Sequence, residues 1–124
     1  MKDLFDKTKK IIKLTDKDFK NNIVIKSELK NNNGLLLVYA NWCSHCQQMK
    51  EPWIQLSIIS DKTSICVLSS EKYPEVVENL KVKGFPTIFE INKNGKLKMF
   101  SGNRDLLNLT NTLCNLDKKN KVCK

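Results

Sequence analysis

Arginine and histidine are nearly missing from this chain: Arg104 and His45 are the only ones, although the formal net charge is +9. Bidentate reading of guanine or phosphate is arginine chemistry. A positive charge carried almost wholly by lysine, and spread along the chain, reads as a solvated surface instead of a nucleic-acid groove. Aromatic residues make up 7% of the chain, too few for a platform that stacks single-stranded bases. Long apolar runs are missing too. The longest, Leu35 to Ala40, falls far short of the roughly 20 residues that span a bilayer. Met1 to Lys7 lacks the apolar stretch of a secretory signal. The expected home is therefore cytoplasmic, with no membrane span.

What is present fits one domain. The chain has 124 residues, enough for a single core without staples. Lys, Asn and Ile, all encoded by A/T-rich codons, are abundant, which points to a low-GC genome. A microbe or a large DNA virus fits equally; a viral source would make the home the host cytoplasm or the virion. Residues 1–10 read as a charged lead-in, 11–116 as the domain and 117–124 as a basic tail. A nucleic-acid or membrane anchor in that tail is the lesser reading.

Ile11 to Leu14 reads as a first strand. Thr15 with Asp18 three places on resembles a capping box, so a helix is expected after it. The segment to Leu29 is ambiguous, and Asn31-Asn32-Asn33-Gly34 ends it. Leu35-Leu36-Leu37-Val38-Tyr39-Ala40 has the pattern of a central strand buried on both faces. A helix should start at about Cys43 and carry Pro52 inside it. Ile65 to Leu68 is a further strand and Tyr73 to Leu80 a further helix. Thr87 to Ile91 and Lys96 to Phe100 flank Asn92-Lys93-Asn94-Gly95, a hairpin signal. Leu106, Leu109, Leu113 and Leu116 mark an amphipathic last helix. The expected order is βαβαβαββα, an α/β layering around a mixed sheet.

Five cysteines, an odd number at scattered spacings, do not make a secreted disulfide framework. Only Cys43 and Cys46 stand at a chemically meaningful distance. A three-residue step at a helix start brings two sulfurs within bonding reach. The free N–H groups and partial positive charge of a helix N-terminus favour a thiolate there, which is the nucleophilic form. A relic pair on an inactive fold is the plain alternative. A zinc site would need two more ligands from Cys66, Cys114 or Cys123, since His45 already lies within the motif. Cys66 and Cys114 read as buried packing residues. Cys123 reads as a free thiol or an intermolecular bridge.

At this point the chain resembles the thioredoxin superfamily. Leu35 to Ala40 followed by Asn41-Trp42-Cys43-Ser44-His45-Cys46 matches its strand-then-motif signature, and Gly84-Phe85-Pro86-Thr87 matches its second hallmark. Asn94-Gly95 and Gly102 fall where the family has its hairpin turn and a small residue near the site. The resemblance implies a thioredoxin fold, with a central mixed sheet flanked by helices. It implies a thiol–disulfide oxidoreductase with Cys43 as the attacking and Cys46 as the resolving cysteine. Pro86 would be a cis-proline, leaving the backbone of Phe85 free to pair with an extended substrate and keeping a metal ligand out of the site. Phe85, Pro86 and Thr87 would bind substrate, and Trp42 would limit access at the rim. No cofactor is implied beyond the redox-active Cys43–Cys46 disulfide.

His45 stands where reducing thioredoxins carry proline and disulfide isomerases and quiescin-type oxidases carry histidine. An imidazolium beside Cys43 favours its thiolate, hence the reduced form, and makes the pair a better oxidant. The family spans about −270 mV for thioredoxin to about −180 mV for disulfide isomerase, or about 4 kcal/mol. The reading leans towards oxidase or isomerase. Protein dithiols or disulfides would be the substrates, with a sulfhydryl oxidase or a reductase as redox partner. Two departures from the family weigh against efficient turnover without removing the exchange chemistry. Leu37 occupies the position, six before Cys43, where the family buries an acid, and Val67 lies where thioredoxins often place a lysine. Pro52 sits six residues after Cys46 where the family usually has five. The competing class is a non-catalytic thioredoxin-fold structural or virion interaction protein.

Overall fold

Five strands pair into one mixed sheet in the computed structural model, which describes residues 3–124. In chain order the elements are β1 (Ile12–Lys13), β2 (Phe19–Lys20), β3 (Ile23–Val24), β4 (Gly34–Tyr39) and α1 (Ser44–Ile59). Then follow β5 (Ser64–Ser69), α2 (Pro74–Asn79), β6 (Thr87–Ile91), β7 (Leu97–Met99) and α3 (Leu106–Leu116). The sheet order is β1-β5-β4-β6-β7. β4 lies parallel to β5 and antiparallel to β6, and its six residues are all buried. This is the thioredoxin fold expected from the sequence.

Alternation along β4 divides the core. Leu35, Leu37 and Tyr39 share one face with Met49, Trp53 and Leu56 of α1 and Leu109 and Leu113 of α3. Leu36 and Val38 face the other way, towards Val77 of α2 and Phe89 and Ile91 of β6. Trp53 fastens α1 to the sheet, its indole N–H donating to the Cys66 carbonyl at 3.0 Å. Cys66 itself is a buried packing residue of β5.

The helix expected after Thr15 does not form. Thr15 and Asp18 do make their reciprocal cap, but it holds one 3-10 turn, Asp16–Asp18. The chain then reverses in a two-residue hairpin pairing Phe19 with Val24 and Lys20 with Ile23. Asn21 and Asn22, at φ 53° and 63°, adopt the left-handed conformation that such a turn needs. β-branched Ile23 and Val24 then favour the strand. The hairpin packs on the β6–β7 turn, where Val24 N–H donates to the Gly95 carbonyl at 2.9 Å. Gly95 has φ 82°, and a Cβ there would run into the Val24 carbonyl, so glycine is required.

The last eight residues also depart from expectation. Cys123 is bonded to Cys114 of α3 rather than being a free thiol or an intermolecular bridge, and Cys114 is thereby more than a packing residue. Asn120 explains how the two meet. Its buried side chain accepts from the N–H groups of Asp61 and Lys62 and donates to Thr63 Oγ1 and the Asp117 carbonyl. The segment is thus tied to the loop between α1 and β5. No helix among the described residues is long and apolar enough to cross a membrane.

Candidate functional site

The site forms where β4 ends and α1 begins. Cys43 is the N-cap of α1 in an extended conformation, and its sulfur accepts the Cys46 backbone N–H at 3.3 Å. One of the orphan N–H groups of the helix start is thereby aimed at sulfur. The same sulfur lies 3.5 Å from the Phe85 carbonyl, to which the thiol donates. Cys43 is 7% exposed and Cys46 is fully buried beneath it. Of the two cysteines only Cys43 reaches the surface.

Helical spacing then sorts the motif. Ser44 and His45 occupy the first turn of α1 on its exposed side, while Cys46 and Met49 face the core. Trp42 is 65% exposed, with its ring set edge-on against Phe85 at 6.0 Å. Those two rings make an apolar rim beside Cys43. The Gly84 to Thr87 loop brings the second motif to the same place because it leads into β6, the antiparallel neighbour of β4. The Phe85–Pro86 peptide is cis and Pro86 is buried. Thr87 pairs with Val38, and its hydroxyl donates to the Gly84 carbonyl at 2.7 Å, bracing the loop. All seven residues singled out from the sequence therefore lie around one point.

The ground below that point is apolar. Leu37 pairs with Val67, and both belong to the core that contains Cys46. Burial pushes the Cys46 thiol up to about 12, helped by its hydrogen bond and charge interaction with Cys43. A backbone bond at Ala40 and the positive charge of Arg104 pull the other way. Arg104 reaches the site from the segment before α3, where its Nη1 donates to the Pro86 carbonyl at 3.1 Å. Sequence reasoning passed over this residue. Its one signal was rarity, a lone arginine two residues beyond Gly102.

Asn41 was also missed. Its N–H donates to the Glu71 carboxylate at 2.7 Å, its carbonyl accepts from Gln47 at 2.8 Å, and its side-chain oxygen accepts the Leu4 N–H at 3.0 Å. Every polar group of the residue leading into Trp42-Cys43, apart from its side-chain NH2, is held in place.

Comparison with known proteins agrees with this geometry. The thioredoxin family model matches residues 10–115. Protein disulfide-isomerase A6 of Mus musculus is 34% identical over 106 residues, covering 82% of this chain and 22% of that protein. The Thioredoxin domain-containing protein 5 homolog of Drosophila melanogaster is 29% identical over 103 residues, 81% of this chain and 23% of that protein. The chain thus spans less than a quarter of either relative. Among solved structures, the J-Trx1 fragment of ERdj5 superimposes with a TM-score of 0.74 at 15% identity, covering 90% of this chain and 54% of that one. The fold, the two motifs in register and the family match over 10–115 together place this chain in the thioredoxin family.

Proposed function

We propose that the chain exchanges disulfides with protein substrates through Cys43 and Cys46. The observation that carries this reading is the pair of contacts on the Cys43 sulfur, 3.3 Å from the Cys46 N–H and 3.5 Å from the Phe85 carbonyl. A helix-start N–H favours the thiolate, and the Phe85 backbone lies within reach of the same atom.

In the reducing direction the Cys43 thiolate attacks a substrate disulfide. A Cys43–substrate bond forms as the substrate S–S bond breaks, and one substrate sulfur leaves as thiolate. Cys46 loses its proton and attacks the Cys43 sulfur. The intramolecular disulfide forms, and the second substrate thiol is released. Oxidation is the same sequence run backwards. The electrons reside in the cysteine pair, so the exchange itself calls on no organic cofactor.

His45 favours the oxidase or isomerase direction. It stands one residue from Cys46 on the exposed side of the first turn, where an imidazolium would stabilise the Cys43 thiolate and the reduced pair. Relatives named as disulfide isomerases support the same lean. Trp42 and Phe85 would meet apolar parts of an extended substrate, while Pro86 and Thr87 shape the edge it lies on.

Equilibration in glutathione buffers, read by thiol alkylation, tests the direction. A potential near about −180 mV fits the isomerase reading, and one near about −270 mV makes the chain a reductase. Cys46→Ser should trap mixed disulfides with substrates, and Cys43→Ser should trap none. The apolar floor at Leu37 and Val67 favours a second reading, a non-catalytic interaction module. That reading predicts no insulin-disulfide reduction by the wild-type chain and no trapped partners.

A further inference from the structure

Disulfide exchange as such makes no use of the first described residues, yet they are laced to the loop that carries Cys43. The Asp3 carboxylate accepts the Tyr39 hydroxyl at 2.6 Å and the Phe5 N–H at 3.0 Å through the same oxygen. Leu4 donates its N–H to Asn41 Oδ1 at 3.0 Å. Phe5 is fully buried, with its ring edge-on to Tyr39 at 5.0 Å, in the core that also holds Cys43 and Cys46. These contacts fall on the last residue of β4 and on the residue two beyond it. Trp42 and Cys43 follow directly.

The bond to Tyr39 is of the strong kind, short and made to a carboxylate. Burial and the Asp3 carboxylate push the Tyr39 hydroxyl well above its ordinary range, so it stays a donor at any working pH. Asn41 has its remaining backbone groups held by Glu71 and Gln47. The Asp3–Phe5 segment therefore adds to these a bond at Tyr39 and one at the Asn41 side chain. The Cys43 sulfur meets both its partners at ordinary contact distance, and a displacement of the loop would lose one or both.

We propose that Asp3 is a positioning residue for the Cys43–Cys46 centre, fixing the loop through Tyr39 and, by way of Leu4, through Asn41. This rests on the exchange reading above. Asp3 acts through the acceptor oxygen it offers to Tyr39, a bond its charge strengthens.

The test uses the full chain as wild type, Asp3→Ala, Asp3→Asn, Tyr39→Phe and the Asp3→Ala/Tyr39→Phe double variant. Two quantities are measured: the equilibrium constant of the Cys43–Cys46 pair with glutathione, and the rate of Cys43 attack on insulin disulfides. Asp3→Ala and Tyr39→Phe should each change both by about three- to tenfold, the scale of a small misplacement of reacting groups. The double variant should be no worse than Asp3→Ala, because Asp3→Ala already removes the one bond that Tyr39→Phe removes. Asp3→Asn keeps the acceptor oxygen without its charge and should fall between wild type and Asp3→Ala. Tyr39→Phe keeps the ring and its contact with Phe5, so it reports even where Asp3→Ala folds poorly. Wild-type values in Tyr39→Phe and Asp3→Ala, or an Asp3→Asn as impaired as Asp3→Ala, would overturn the proposal alone. A wild-type chain that forms no Cys43–Cys46 disulfide at any glutathione ratio would overturn the exchange reading and the proposal with it.

Discussion

Leu37 lies opposite Val67 across the parallel β4–β5 pair, and both side chains belong to the core that buries Cys46. Among the described residues, the two positions that pair beneath Cys46 are thus apolar and offer no carboxylate. With its thiol pushed up to about 12, Cys46 is almost wholly protonated near neutrality. Release of a mixed disulfide from Cys43 should therefore quicken by about tenfold per pH unit between pH 7 and 10, following the thiolate fraction. Stopped-flow release of a peptide thiol from the preformed mixed disulfide checks this. A flat profile would mean that another group accepts the proton.

Arg104 should be felt at the same step. Its charge favours the Cys46 thiolate from a position held by the Pro86 carbonyl. Arg104→Gln is expected to slow release by about twofold to fivefold, as befits an exposed charge worth under about 1 kcal/mol. The first attack by Cys43 should change less. Arg104→Lys should restore part of the loss, at the cost of the guanidinium's geometry.

Stability of the reduced chain should fall in alkali. Burial raises the Cys46 thiol from its ordinary 9.0 to about 12, and raises Cys66 as well. Between those values the unfolded chain has lost thiol protons that the folded chain keeps. The folded state then binds more protons, and unfolding becomes easier as pH rises. The contribution is whole below pH 9.0 and is lost on the way to about 12. Urea midpoints in excess dithiol at pH 8 and pH 10.5 measure it. Cys66→Val should flatten the decline, since it removes a titrating group from a fully buried site.

The Cys114–Cys123 bond closes a loop with a sequence separation of 9. Constraining a loop of that size in the unfolded chain is worth about 2–3 kcal/mol. Cys123→Ser should lower stability by about that amount, measured in a Cys43→Ser/Cys46→Ser background to leave only this disulfide. Release of the tail would also loosen Asn120 from Asp61 and Lys62. Faster amide exchange at those two N–H groups is the second readout.

Much of the site was legible from residue order. Cys43 and Cys46 are three apart, so a helix start alone brings Cys46 N–H to the Cys43 sulfur. The run from Leu35 to Ala40 is apolar at every position, as a strand buried on both faces must be. Gly84 to Thr87 could be placed at the site only through the family resemblance, because nothing local says that β6 runs beside β4. The first helix was misread for a local reason. A good cap at Thr15 says where a helix can start, and left-handed Asn21 and Asn22 end it after one turn.

The residues that hold the site, as distinct from those that form it, needed the tertiary structure. Asp3 is 36 positions from Tyr39, Leu4 is 37 from Asn41 and Arg104 is 18 from Pro86. No periodicity or motif connects such pairs, since each depends on where the sheet order brings two segments together. The same holds for Cys114 and Cys123, which meet only because buried Asn120 folds the tail back against the loop after α1. By itself the sequence determined most of the elements and the placing of Cys43 and Cys46 at a helix start, because helix starts, buried strands and hairpin turns are governed by neighbours a few residues away. The packing of distant segments decided which groups brace Cys43, which charge reaches Cys46 and which cysteines pair, because those interactions exist only once the core has brought the segments into contact.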